Sequence, residues 1–197
     1  MRILKLSALF GAVLFLLGCL PPTTSHPVGS SVGLAIDPAL VGLWRGKMEN
    51  SSDARDVYFH FLPTTQGTIT VLLVQAGSEP DGDWSSATIT TATLGGNHFM
   101  NAVITFSDGK ADETFAADTT TPLLYRIDAQ GKLILYMLDE DATKAAILSN
   151  KITGTVEQGQ FGDAKITADP KKLDAFMMSK KGLALFSERF ATLTKIE

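Results

Sequence analysis

The sequence predicts a mainly β domain: an antiparallel meander closing into a small barrel, with an inserted short helix and a C-terminal helix. Three observations predict it. Runs rich in Thr, Val, Ile and Phe recur from Val41 to Leu138, and such residues suit a half-buried pleated surface. Turn signals separate the runs: Thr65-Gln66-Gly67, Gly95-Gly96-Asn97, Ser107-Asp108-Gly109-Lys110 and Ala129-Gln130-Gly131. The runs also follow one another with no helix between them. Consecutive antiparallel strands produce that pattern, and closing the meander removes its exposed edges.

Taken in order, residues 41–48 form the first strand, with Trp44, Gly46 and Met48 on one face by period two. Residues 55–62 follow. Val57, Phe59 and Phe61 point one way, and Tyr58, His60 and Leu62 the other. Residues 68–75 are apolar on both faces, Ile69, Val71 and Leu73 against Leu72 and Val74. Pro80-Asp81-Gly82 marks a loop. Residues 84–94 and 98–106 pair around the glycine turn, with Phe99, Asn101, Val103 and Thr105 opposite Met100, Ala102, Ile104 and Phe106. Residues 112–116 read as a short strand, and 123–128 with 132–138 as a hairpin.

Asp139-Glu140-Asp141 opens a helix over 142–150, since acids in a first turn complement the helix dipole. Residues 152–158 and 160–167 read as a closing strand pair around Gly159. In the second helix Asp169 is the cap, Pro170 takes the first position, and Leu173, Phe176 and Met177 form the apolar stripe. Lys180 and Lys181 fall in its last turn and Gly182 ends it. Leu183, Leu185 and Phe186 begin a further short helix. The stripe is expected to pack on the barrel wall, because an amphipathic face must be covered.

The first 18 residues belong to none of this. Met1-Arg2-Ile3-Leu4-Lys5 is basic, and residues 6–17 are apolar and uncharged. That run is shorter than the roughly 20 residues a membrane span needs. A basic start, a short apolar run and a small residue at its end mark a secretory signal. Residues 19–37 contain Pro21, Pro22, Pro27, Gly29, Ser30, Ser31 and Gly33 without periodicity. They read as a flexible linker, with His26 solvated in it and the domain occupying 38–197.

A chain of 197 residues holds one domain plus such a linker. Removing residues 1–18 takes away Arg2 and Lys5 and no acid, so 15 basic and 21 acidic side chains remain. A mildly acidic surface offers nucleic acid no footprint. Cys19 is the one cysteine, so stability must come from the core.

The residues of common active sites do not assemble. His26, His60 and His98 are far apart in sequence, with no cysteine free to join them in a zinc site. There is no Gly-x-Ser-x-Gly elbow and no phosphate-cradling glycine loop. His60 reads as an outer-face or mouth residue. Asp81 and Asp83 belong to a turn and Asp139, Glu140 and Asp141 to a helix start, because their spacing fails the calcium-loop pattern. The chain is therefore read as a non-enzyme, with no catalytic residue, no metal ligand and no cofactor. Trp44, Phe59 and Leu72 are the candidate ligand-binding residues, although Trp44 and Phe59 also suit a filled core, Trp44 the more so at the first strand, where a barrel closes.

Two motifs resemble known families. Leu16-Leu17-Gly18-Cys19 resembles the lipobox of bacterial lipoproteins. The resemblance implies a diacylglyceryl group on the Cys19 thiol, cleavage of the signal peptide 1–18, and an acyl chain such as palmitate on the new amine. Two or three chains hold a protein on a bilayer where one does so only marginally. Leu20, at the place where inner-membrane members carry Asp, implies the outer membrane, facing the periplasm. Gly42-Leu43-Trp44 ahead of a meander resembles the opening of lipocalins and other calycins. There the Trp plugs the closed end, which implies a small calycin-like barrel. The Thr-Asp-Tyr motif of that family is absent, and Arg126 is the nearest stand-in for its late arginine. Residues 132–186 are similar to the C-terminal part of uncharacterised Gram-negative lipoproteins, a likeness that names no activity.

The expected function is that of a lipid-anchored periplasmic binding protein for a small hydrophobic ligand. The alternative is an envelope protein-interaction or inhibitor module without a ligand cavity. The expected partners are the membrane, through the acyl chains on Cys19, and either the hydrophobic ligand or an envelope protein, with no nucleic acid.

Overall fold

The computed structural model of the chain describes residues 21–49, 55–77, 83–107, 110–111, 119–157 and 163–197. The expected signal over residues 1–18, Cys19 and the strand expected at 112–116 lie outside the described residues. In chain order the elements are β1 (Thr23–Thr24), β2 (Gly42–Met48), β3 (Val57–Pro63), β4 (Ile69–Gln75), β5 (Asp83–Leu94), β6 (Asn97–Ser107), β7 (Lys110–Ala111), β8 (Thr121–Ile127) and β9 (Lys132–Met137). Then come α1 (Glu140–Leu148), β10 (Gly154–Val156), β11 (Ala164–Ile166), α2 (Pro170–Met178), α3 (Lys180–Leu183) and β12 (Glu188–Lys195).

Alternation decides the architecture. Val57, Phe59 and Phe61 of β3 are buried, as are Ile69, Val71 and Leu73 of β4, while their sequence neighbours turn outward. Each strand pairs antiparallel with the next, from β2 through β6 and on to β8 and β9. The β5–β6 pairing continues the sheet back onto itself, and β12 fits between β9 and β2. The result is a closed eight-stranded antiparallel barrel, the architecture that Gly42-Leu43-Trp44 implies. Gly95 and Gly96 make the β5–β6 turn with positive φ of 56° and 81°, as a two-residue hairpin demands.

The closing strands differ from the expectation. Residues 152–158 and 160–167 contribute β10 and β11, which pair with each other but not with the barrel. They form a separate three-stranded sheet with β1. The barrel is closed by β12, a strand beyond those the sequence predicts. Its Ala191 and Leu193 are fully buried, while Thr192 and Thr194 on the other face are the β-favouring signal that was available.

One end of the barrel is plugged. Trp44 is 1% exposed and donates its indole N–H to the Leu40 carbonyl at 2.7 Å. The Lys195 ammonium lies 5.5 Å from its ring centroid, from the strand paired with it. Arg126 does not take that place; its guanidinium lies 5.4 Å from the Tyr136 ring instead.

The expected linker is folded, and this is the largest correction to the sequence reading. Pro21, Pro22, Thr24, Val28 and Gly29 are buried. Thr24 bridges Thr120, the Val28 backbone exchanges two bonds with the Asn101 amide (2.7 and 2.9 Å), and Ala35 bridges Thr91. Residues 21–37 therefore run as a strap along the barrel, from the end where β8 begins to the end plugged by Leu40 and Trp44. At Gly29 a Cβ would lie 2.1 Å from that of Ala92, and φ is +92°. Glycine here permits close docking rather than slack. Composition suggested a linker because these backbone groups find partners far away in sequence, which local patterning does not register.

A second core covers the outer wall. Phe99 of β6 and Leu94 of β5 pack there with Ile147 of α1, Ile166 of β11, Leu173 and Met177 of α2, and Phe186. Asp139 caps α1, accepting the Ala142 N–H at 2.8 Å, and Asp169 caps α2. α2 ends earlier than expected: Ser179 is extended and caps α3, so Lys180 and Lys181 begin a new helix.

Candidate functional site: the cavity end of the barrel

Away from the Trp44 plug, the interior is incompletely filled. A cavity of about 90 Å³ remains, and only apolar atoms face it. Phe59 and Phe61 of β3, Val71 and Leu73 of β4, and Ile89 of β5 form one side. Met100, Ala102 and Ile104 of β6 and Leu135 and Met137 of β9 form the other. Pro21, the first described residue, also lines it. Strand direction places the cavity at the end opposite Trp44, where β3, β5, β8 and β12 begin.

Two β-bulges shape this end. In β12 the pairing with β9 shifts between Arg189 and Ala191. Phe190, left unpaired, sets its ring edge-on to Phe59 at 6.4 Å in the cavity wall. In β6 the pairing with β5 shifts so that Ser86 faces Phe106 and Ala87 faces Ile104. The extra residue, Thr105, turns Phe106 off the face of Met100, Ala102 and Ile104. Phe106 stacks instead on Trp84 of the outer wall, 5.9 Å between centroids. Bulges re-aim side chains in this way, and strict period-two counting assigns Phe106 to the wrong face.

Of the candidate residues, the structure brings Phe59 to the cavity. Trp44 sits at the opposite end as a plug and does not line it. Leu72 is on the outer face of β4, half-buried, and does not line the cavity. The reason is register: Leu72 alternates with Val71 and Leu73, which occupy the inner face. His60 lies on the outer face of β3, between Leu43 and Leu72 of the flanking strands. Phe190 was missed because its strand was missed.

Polar groups near the cavity are few. The Thr121 hydroxyl oxygen is buried with no hydrogen-bond partner among the described residues, and Thr121 lines the cavity. Deeper in, Tyr125 donates its hydroxyl to the Asp37 carboxylate at 2.7 Å. Burial first, then the hydrogen bond to Asp37 and its charge, raise its pKa above the ordinary phenol value, so it remains a neutral donor. On the rim, Glu188 is raised above the ordinary carboxyl value by burial and by Asp139, Glu140 and Asp141. Among the described residues no three His, Cys, Asp or Glu side chains converge to hold a metal ion, and no helix is long and apolar enough to cross a membrane.

No family model, no curated protein and no solved structure matches the chain.

Proposed function

We propose that this chain is a lipid-anchored envelope protein of the outer membrane, facing the periplasm, whose barrel accepts part of a small hydrophobic ligand. The observation that carries the reading is the cavity itself: about 90 Å³, faced by apolar atoms alone, at the end away from the plug. Apolar cavities of this kind stay dry and take apolar guests; one of about 150 Å³ accommodates benzene. The space here suits a short length of alkyl chain, with the rest of the ligand outside. Lipidation on Cys19, after removal of residues 1–18, is the anchoring part of the proposal and rests on Leu16-Leu17-Gly18-Cys19.

The test is native mass spectrometry and lipid extraction of the full chain purified from membranes, beside an Ala102→Phe variant that fills the cavity. The wild type is expected to carry an apolar compound that the variant loses. Absence of any bound compound, together with no uptake of a hydrophobic dye, would overturn the ligand part. Palmitate labelling of cells carrying the wild type or Cys19→Ser tests the anchor, with label expected only on the wild type.

A protein-interaction module is the second reading. The cavity's size favours it, being well below the roughly 300 Å³ at which small-molecule pockets begin, as do the exposed Val74 and Phe106 side chains.

A further inference from the structure

We infer that the barrel lies directly on the bilayer with its cavity end facing the lipid, held there by an aromatic patch on its outer wall. The inference rests on the anchoring of Cys19 proposed above and adds orientation to it. A flexible spacer of about 18 residues would leave the domain free to tumble. Residues 21–30 do not act as such a spacer: Pro21, Pro22, Thr24, Val28 and Gly29 are buried, while residues 31–35 run along the surface. One residue, Leu20, separates Cys19 from Pro21, a reach of roughly 7 Å at full extension. Pro21 borders the cavity, and the neighbouring Thr24 bridges Thr120 at the start of β8. An anchor on Cys19 therefore draws this end of the barrel, and not the Trp44 end, to the headgroups.

The outer wall at the same end is built for that contact. Val74 is 41% exposed and Phe106 is 40% exposed. Trp84 lies between them, paired with Val74 across β4–β5 and stacked on Phe106. Aromatic and apolar side chains of this kind settle at the membrane–water interface. The patch is carried by β4, β5 and β6, so these strands lie nearest the lipid. The occupant of the patch is a phospholipid surface. The cavity then opens toward acyl chains, which makes membrane lipid its nearest source of ligand.

The two tryptophans stand at opposite ends of the barrel, so the protein contains its own probe. The lipidated full chain is reconstituted into vesicles of brominated phosphatidylcholine, and flotation and tryptophan quenching are read together. The expected result is flotation with quenching that Trp84→Phe abolishes, leaving only the unquenched Trp44 signal. This variant keeps an aromatic ring at the site and is chosen to preserve the fold. Flotation with Trp84 unquenched, or with Trp44 quenched as strongly, would overturn the orientation while leaving the anchor intact. The former result would assign the patch to a protein partner. Lipidated protein that fails to float would overturn both.

Discussion

The carboxylate of Asp174, in the middle of α2, accepts the backbone N–H of Gly29 at 2.7 Å. The same group takes the Ser31 N–H at 3.0 Å and the Ser31 hydroxyl, and Asp174 is only 2% exposed. A buried carboxylate is costly unless its lone pairs are filled. Here the strap fills them, which couples residues 21–37 to the outer helices and through these to the barrel. Hydrogen bonds to a charged group contribute about 1.5–3 kcal/mol each, and orphaned partners cost more than the bonds alone. Asp174→Ala is expected to lower unfolding free energy by at least about 2 kcal/mol, read by urea denaturation. Limited proteolysis should also begin cutting near Ser31. A strap that stays protease-resistant in this variant would show that Asn101 and Thr91 hold it unaided.

The apolar stripe of α2 grades in burial, and the cost of truncation should follow. Leu173 and Met177 are fully buried, whereas Phe176 is half-buried at the edge of the outer core. Leu173→Ala is expected to cost about 2–5 kcal/mol. Phe176→Ala should cost less than the roughly 3 kcal/mol at which full phenylalanine truncation begins, because part of its ring is already in water. Melting temperatures of the two variants decide the order; a larger effect at Phe176 would mean that its exposed face meets another molecule.

Much of the barrel was legible because its strands obey period two and its turns use glycine where φ is positive, as at Gly95, Gly96 and Gly131. The stripe and cap of α2 were legible because Asp169, Pro170 and Leu173 act within one turn or two. What was not legible is non-local. Thr24, Val28 and Ala35 pair with residues 56 to 96 positions away, so the strap has no local signature beyond its prolines and glycines. β12 pairs with β2, at the far end of the chain, and was masked by the helices before it. Phe106 and Phe190 are aimed by bulges, which shift register without any mark in the alternation. Of the three candidate residues Phe59 alone lines the cavity, on the face that its neighbours Val57 and Phe61 repeat.

Among the described residues, the Thr121 hydroxyl in the cavity wall has no hydrogen-bond partner. A buried hydroxyl without a partner costs about 1–3 kcal/mol on the evidence of protein substitutions. Thr121→Val keeps the shape and removes that cost, so the ligand-free protein is expected to gain about 1 kcal/mol. The hydroxyl does not face the cavity, so binding of an apolar ligand should be unchanged in the variant. Thermal midpoints measured before and after lipid extraction test both expectations. A loss of stability in extracted protein would mean that the hydroxyl is satisfied in solution, by water.

Glu188 sits on the rim beside Asp139, Glu140 and Asp141, with Glu49 and Arg189 nearby. Burial and the three acids of the α1 start raise its pKa above the ordinary 4.5. The folded state therefore holds this proton at pH values where the unfolded chain has released it. Stability falls as pH rises from 4.5 through the raised value, and the loss persists above it. The Asp139 carboxylate accepts both the Ala142 N–H and the Ser187 hydroxyl. Glu188→Gln removes the titrating group and keeps its size. The variant is expected to be more stable than wild type at neutral pH and no more stable below about pH 4, where both carry a neutral side chain. Glu188 is partly solvated, so added salt should shrink the difference. Urea midpoints at the two pH values, in low and high salt, provide the measurement. A gain of equal size at both pH values would place its cause in packing rather than in charge.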